Sequence, residues 1–234
     1  MREPVFTGAC SAIVTPFDQS GAVNYDRFGR LIDEQIARGL DAICVCGTTG
    51  ECATLSIREH IAAVEYCVKR VNHRVKVIAG AGSNDTSAAV YLSQHAQDSG
   101  ADALLHVTPY YNKASQTGLI KHYEYIADRV ELPIILYNVP SRTGVDIKPE
   151  TIARLAAHPR IVAVGAHDES GRQGRHFRGG KYRAGDHDPN DPPLPGRQIR
   201  GSQRASAAVY GFYRRALPRS QPHPHQGRYE FGRL

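Results

Sequence analysis

Apolar strands and amphipathic helices alternate along residues 1–164 at a nearly constant spacing. Six short runs rich in apolar residues begin 27 to 34 residues apart, which is the period of a βα unit. These runs are apolar on both faces, as buried parallel strands are, so we predict an α/β fold whose parallel sheet is covered by helices. The predicted strands are Ala9–Thr15, Ala42–Cys46, Lys76–Ala79, Ala103–Val107, Ile134–Tyr137 and Ile161–Val164. The predicted helices are Tyr25–Ala37, Ile57–Val71, Thr86–Ser99, Gly118–Val130 and Pro149–Ala157.

The alternation ends at Val164, and the composition changes there. Residues 165–234 hold 13 of the 29 Lys and Arg residues but 6 of the 23 acidic residues, so this segment has a net charge of +7 and residues 1–164 one of −1. The segment also holds 11 of the 22 glycines and 7 of the 14 prolines, with five Ile, Leu or Val residues. Such a composition buries too little apolar surface to offset the entropy of ordering, and we predict that 165–234 is a disordered basic tail. The basic pI therefore belongs to the tail and does not indicate nucleic-acid binding by the folded domain.

Other sequence signals favour a cytoplasmic protein that binds no membrane. Met1–Pro16 lacks the basic and apolar regions of a signal peptide, and no apolar run approaches the length of a membrane span. The five cysteines are odd in number and contain no CxxC pair, which is typical of reduced thiols. We therefore predict no metal site.

Three polar clusters follow predicted strands at their C-terminal ends. They are Gly47–Glu51, Thr108–Asn112 and Tyr137–Gly144. An open nucleotide-binding sheet would instead carry a glycine-rich turn after its first strand, where this chain has Thr15-Pro-Phe-Asp18. Functional groups gathered at one rim are typical of a parallel barrel, so we predict a barrel.

Taken singly, these groups leave two interpretations open. The backbone and hydroxyls of Thr48 and Thr49 can bind a carboxylate and pass protons, or simply form a turn. Tyr111 and Tyr137 can relay protons or pack as hydrogen-bonded aromatic residues. Arg142 can bind a carboxylate through two hydrogen bonds or remain solvated.

Together the motifs GTTGE, TPYYN and YNVPSRTG, in this order and after strands two, four and five, resemble the dihydrodipicolinate synthase family over about residues 5–164. The resemblance implies a TIM (β/α)8 barrel, of which residues 1–164 supply the first five to six βα units. It also implies an enzyme that condenses pyruvate with L-aspartate semialdehyde in lysine (diaminopimelate) biosynthesis, through a lysine Schiff base and without a cofactor, as a homotetramer.

The resemblance also implies roles for individual residues. Thr48, Tyr111 and Tyr137 would form a proton relay, with Tyr111 reaching into the site of a neighbouring subunit. Thr48 and Thr49 would bind the carboxylate of pyruvate. Arg142 would bind the carboxylate of aspartate semialdehyde.

The chain departs from the family at the residue that carries the chemistry. In the family the Schiff-base lysine follows the sixth strand directly, in a pattern like IVAVKEATG, whereas here Ile161–Val164 is followed by Gly165. Glycine has no side chain to form an imine, and no lysine elsewhere in the sequence is placed to substitute. We therefore predict that this chain is inactive as a synthase.

The end of the sequence suggests a cause. Gln221–Gln226 reads QPHPHQ, and its codons read one base later can encode NPIPIK, which resembles a stretch near the end of the family's synthases. We therefore interpret 165–234 as an out-of-frame translation of the remaining gene.

The sequence leaves two alternatives open. N-acetylneuraminate lyases and keto-deoxy sugar aldolases of the same superfamily share the GTTGE-like turn and the YNxP tyrosine, although Arg142 favours the synthase. The second alternative is a non-catalytic interaction protein that binds a partner through the barrel fragment or the basic tail.

Overall fold

The computed structural model describes residues 4–166, which form one parallel six-stranded sheet with helices on its outer side. The strands are β1 (Cys10–Ala12), β2 (Ala42–Val45), β3 (Lys76–Gly80), β4 (Ala103–Val107), β5 (Ile134–Asn138) and β6 (Ile161–Ala166). The helices are α1 (Tyr25–Ala37), α2 (Ile57–Val71), α3 (Thr86–Asp98), α4 (Gln116–Ala127), α5 (Pro140–Thr143) and α6 (Pro149–Leu155).

Each strand pairs in parallel with the next one along the chain, so the sheet order is the sequence order. The sheet curls as part of a (β/α)8 barrel, which confirms the predicted fold class. The predicted tail begins at Gly165, whereas β6 continues two residues past Val164 and ends at Ala166. The rest of that predicted tail, 167–234, lies outside the described residues.

The side chains divide between two faces of the curled sheet. On β2, Ile43 and Val45 join the large apolar core under the helices, whereas Ala42 and Cys44 join a smaller cluster on the inner face. All four are buried, as predicted for strands covered on both sides. The inner cluster also contains three residues of neighbouring strands, which are Ile78, Ala103 and Ile135.

Local contacts explain where the predicted boundaries were wrong. β1 is shorter than predicted because the chain turns away after Ile13 into a loop closed by a bridge between Phe17 and Val23. α4 begins two residues earlier than predicted because the Ser115 hydroxyl accepts a hydrogen bond from the Gly118 N–H at 3.1 Å. The short helix α5 was not predicted and lies inside the third polar cluster.

The helices of the described part of the chain are amphipathic and short. None of those within residues 4–166 combines the length and the apolar composition that crossing a bilayer requires.

The capping box at the start of α2 provides a test of the local fold. The Ser56 hydroxyl accepts a hydrogen bond from the Glu59 N–H, and the Glu59 carboxylate accepts one from the Ser56 N–H. We expect Ser56→Ala to lower the free energy of unfolding by about 1 kcal/mol in urea denaturation. Ser87→Ala, at an exposed position in the first turn of α3, is the control and should change it by less than about 0.5 kcal/mol. Equal effects of the two substitutions would contradict this assignment.

Candidate active site

The three polar clusters lie at one rim of the sheet. They follow β2, β4 and β5, and parallel neighbouring strands bring their C-terminal ends to the same edge. The rim therefore carries every residue that the sequence assigned to a site, together with the end of β6.

The turn after β2 is a single 3-10 turn, Thr48–Gly50. It is fixed by the Thr15 hydroxyl, which donates a hydrogen bond to the Gly50 carbonyl at 2.7 Å. A Cβ atom at Gly50 would lie 3.1 Å from the backbone oxygen of Ile13, so a side chain there would require the turn or Ile13 to shift by a few tenths of an ångström. Thr48 is exposed and Thr49 is half-buried, which leaves both residues accessible at the rim.

The pairing of β5 with β6 sets the geometry of the site. Tyr137 pairs directly with Gly165, and a register shift at Ile134/Ile135 precedes that pair. Ile135 pairs with Ala163, and both belong to the inner-face cluster, so two residues further along Tyr137 and Gly165 share this inner face. Position 165, where the sequence predicts the family's lysine to lie, is therefore next to Tyr137, about 4.8 Å away across the strands.

The environment of Tyr137 favours the protonated phenol. Partial burial raises the pKa of Tyr137 above its ordinary value, and the positive charge of Arg142 acts in the opposite direction. Arg142 lies in α5 and is exposed, and its charge acts on the phenol of Tyr137. A neutral phenol beside a guanidinium can donate a proton or a hydrogen bond to a bound anion.

Two buried threonines link the loop after β4 to the loop that carries Arg142. The Thr108 hydroxyl donates to the Thr143 hydroxyl at 3.1 Å, and the Thr143 hydroxyl donates to the Val145 carbonyl at 3.0 Å. Thr108 also donates its N–H to the Tyr137 carbonyl at 3.1 Å. This pair was not predicted from the sequence, although both residues lie inside the motifs TPYYN and PSRTG.

Two amides fix the remainder of the loop after β5. The Asn138 side chain donates to the Asp146 carboxylate at 2.8 Å and accepts from the Ile147 N–H at 3.2 Å. Gln116, on α4, donates to the Asp146 carbonyl at 2.8 Å and accepts from the Lys148 N–H at 3.0 Å. Arg142 is therefore carried by a loop that is fixed to both a strand and a helix.

Tyr111 differs from the other predicted site residues. Its side chain is 89% exposed and its φ is +74°, in the left-handed region that residues other than glycine rarely adopt. The neighbouring Asn112 fixes the turn by donating its side-chain amide to the Asn84 carbonyl at 3.1 Å. Within one chain Tyr111 is thus presented to solvent, and its contribution to a neighbouring subunit's site stays a prediction.

Residues 4–166 contain no group of three or more His, Cys, Asp or Glu side chains arranged to hold a metal ion. The site described here is built from hydroxyls, one phenol on the inner face and one guanidinium. These are groups that bind carboxylates and move protons.

These features define a parallel (β/α) barrel with its site at the C-terminal rim. The chain matches the dihydrodipicolinate synthetase family over residues 5–173, which extends nine residues past the resemblance predicted from the sequence. The chain belongs to this family.

Individual relatives agree with that assignment. The chain is 55% identical over 164 residues to a 4-hydroxy-tetrahydrodipicolinate synthase of Acetivibrio thermocellus, covering 70% of this chain and 56% of the relative. A dihydrodipicolinate synthase of Aquifex aeolicus superimposes with a TM-score of 0.67 at 49% identity, covering 68% of this chain and 54% of that structure. One from Acinetobacter baumannii, solved with pyruvate, superimposes with a TM-score of 0.67 at 47% identity, covering 68% of this chain and 55% of its own. The chain thus spans about half the length of the relatives it matches.

The threonine pair gives a prediction for the site. Thr143→Val keeps the shape of the side chain but leaves the Thr108 hydroxyl without its acceptor in a buried position. We expect the free energy of unfolding to fall by about 1–3 kcal/mol in urea denaturation. Thr143→Ser, which keeps the hydroxyl and removes one methyl group, is the matched control and should cost about 0.8 kcal/mol. A valine variant as stable as the native chain would show that the hydroxyl pair does not hold the two loops together.

Proposed function

We propose that this chain derives from a 4-hydroxy-tetrahydrodipicolinate synthase of lysine (diaminopimelate) biosynthesis and that, as written, it does not catalyse the reaction. Its residues 1–164 correspond to the N-terminal part of the barrel. The proposal is supported above all by the pairing of Gly165 with Tyr137, because the residue beside the phenol has no side chain.

The substrates of the parent enzyme are pyruvate and L-aspartate semialdehyde. Thr48 and Thr49 bind the carboxylate of pyruvate, and Arg142 binds the carboxylate of the semialdehyde. Tyr137 and Thr48 pass protons, together with Tyr111 of an adjoining subunit. The parent works as a cytoplasmic homotetramer without a cofactor.

The reaction begins with a lysine amine that attacks the ketone of pyruvate and releases water, which gives an imine. The imine loses a proton to form an enamine, and the enamine carbon attacks the aldehyde of the second substrate. A lysine at the inner face reacts at neutral pH because the barrel interior lowers its pKa and leaves part of the amine uncharged. Without that amine none of the later bonds can form.

A change of reading frame near codon 165 accounts for both the glycine and the sequence that follows. The apolar pattern ends at the same place, and the QPHPHQ stretch can encode NPIPIK one base later. In this proposal residues 165–234 are not a selected domain, and their positive charge does not serve to bind a partner.

Borohydride trapping with pyruvate tests the missing nucleophile. We expect no reduced pyruvate adduct on any lysine of the native chain and no condensation with aspartate semialdehyde. Gly165→Lys should gain an adduct at position 165, because the new amine lies on the inner face beside Tyr137. Ser141→Lys, at an exposed position of the same rim, is the control and should remain unmodified because its amine keeps an ordinary pKa of about 10.4.

An adduct on a lysine of the native chain, accompanied by turnover of aspartate semialdehyde, would overturn the proposed inactivity. A Gly165→Lys variant that folds but forms no adduct would overturn the assignment of position 165 to the nucleophile.

A further inference from the structure

A buried polar cluster lies on the outer side of β4, between the strand and the helices α3 and α4. Three side-chain atoms in it are buried without a hydrogen-bond partner among residues 4–166: Nδ1 of His106, Nε2 of His122 and the hydroxyl of Tyr123. Buried polar groups usually have partners, so a cluster of three without them is a feature to be explained.

The hydrogen bonds of His106 fix which of its nitrogens carries the proton. The Ser93 hydroxyl, on α3, donates to the Ala89 carbonyl at 2.6 Å and so accepts from Nε2 of His106 at 3.0 Å. Nε2 is therefore the N–H, and Nδ1 is a bare acceptor. A second proton on Nδ1 would create a fully buried cation with no acceptor for the new N–H.

His122, on α4, likewise has one ring nitrogen with a hydrogen-bond partner and one buried nitrogen without a partner among residues 4–166. Its Nδ1 lies 2.8 Å from the Thr86 hydroxyl of α3, and its ring packs edge-on against Tyr123, with 5.0 Å between the ring centroids. Its side chain is 7% exposed. The two histidines thus join β4, α3 and α4 through one hydrogen bond each.

The surroundings of the pair contain little that could stabilise a positive charge. Of the described residues, Asp85 at the start of α3 is the carboxylate that acts on His122, and it favours the charged form. The neighbouring strands contribute apolar side chains to the same core, namely Val77, Ala79, Ile134 and Leu136. Tyr123 is fully buried, and burial raises its pKa, so it stays a neutral phenol.

We propose that His106 and His122 form an acid-sensitive latch: protonation of either ring releases α3 and α4 from β4 and frees the adjoining loop Thr108–Asn112, while α1 and α2 remain folded. This inference does not depend on the proposed function. Burial lowers the pKa of His106 to about 3, aided by the nearby His122, and burial lowers the pKa of His122 to about 4. Since both values lie below the ordinary 6.5, the open form binds more protons, and the latch weakens as the pH falls through 6.5.

The latch is coupled to the rim through the strand itself. His106 precedes Val107, which pairs with Tyr137, and Thr108, whose hydroxyl contacts Thr143. Movement of this end of β4 would therefore disturb the loops that carry Tyr111 and Arg142.

Hydrogen exchange followed by mass spectrometry tests the proposal on the native chain. Labelling times are scaled for the intrinsic effect of pH on exchange, and peptides of α1 and α2 serve as the internal reference. Between about pH 7 and about pH 5, we expect exchange in α3, β4 and α4 to rise about 25-fold for each histidine that is protonated only in the open form. An equal rise in α1 and α2, or no rise, would overturn the latch.

Replacing the two histidines by neutral side chains tests whether they cause the rise in hydrogen exchange at acid pH. His106→Gln can still donate to Ser93, His122→Asn can still bond to Thr86, and neither new side chain can be charged. The double variant should lose the acid response in α3, β4 and α4. His73→Asn, an exposed turn residue with a φ of +60° that asparagine tolerates, is the control and should keep the response. An acid response that persists in a folded double variant would overturn the proposal.

If the double variant does not fold, the pH dependence of the imidazole NMR signals of the native chain tests the proposal instead. Two histidines should stay neutral well below the ordinary pKa until α3 and α4 lose protection. If all histidines titrate near the ordinary pKa while those helices stay protected, the proposal is wrong.

Discussion

The parallel pairing of β5 with β6 is the contact on which the chemistry of this chain depends. A one-residue slip in a strand turns every side chain to the opposite face of the sheet. The register shift at Ile134/Ile135 sets the pairing of Tyr137 with Gly165 and thereby brings position 165 to the inner face. Position 165 is a glycine, so it places no side chain on the inner face beside Tyr137.

That rim is held by groups that do not react. The Thr108 and Thr143 hydroxyls join two loops, and Asn138 and Gln116 fix the loop that carries Arg142. These bonds connect elements within the described part of the barrel, and none of the three involves residue 165. The described rim is therefore held together by contacts among its own loops, and the match to the family model over residues 5–173 shows the family.

The sequence predicted the fold from spacing and the site from three motifs. Both depend on patterns that are local in the chain: apolar runs at a constant period, and polar residues directly after them. The boundaries that were wrong depend on single contacts, such as the Ser115 hydroxyl that starts α4 early. The register shift before Tyr137 depends on how two strands pair, and the residue pattern of neither strand alone predicts it. His106 lies within an apolar run and was predicted only as part of a strand, so its hydrogen bond to Ser93 and its role in the core could not be predicted.

The central claim is that this chain is the N-terminal part of a synthase whose frame changes near codon 165. Sequencing the gene and its transcript across codons 160–234 tests this most directly. The expected result is a second reading frame that restores a lysine after IVAV, continues through the missing strands and encodes NPIPIK in place of QPHPHQ. A gene in which both alternative frames are interrupted by stop codons, or encode nothing that resembles the second half of the family's barrel, would contradict the claim.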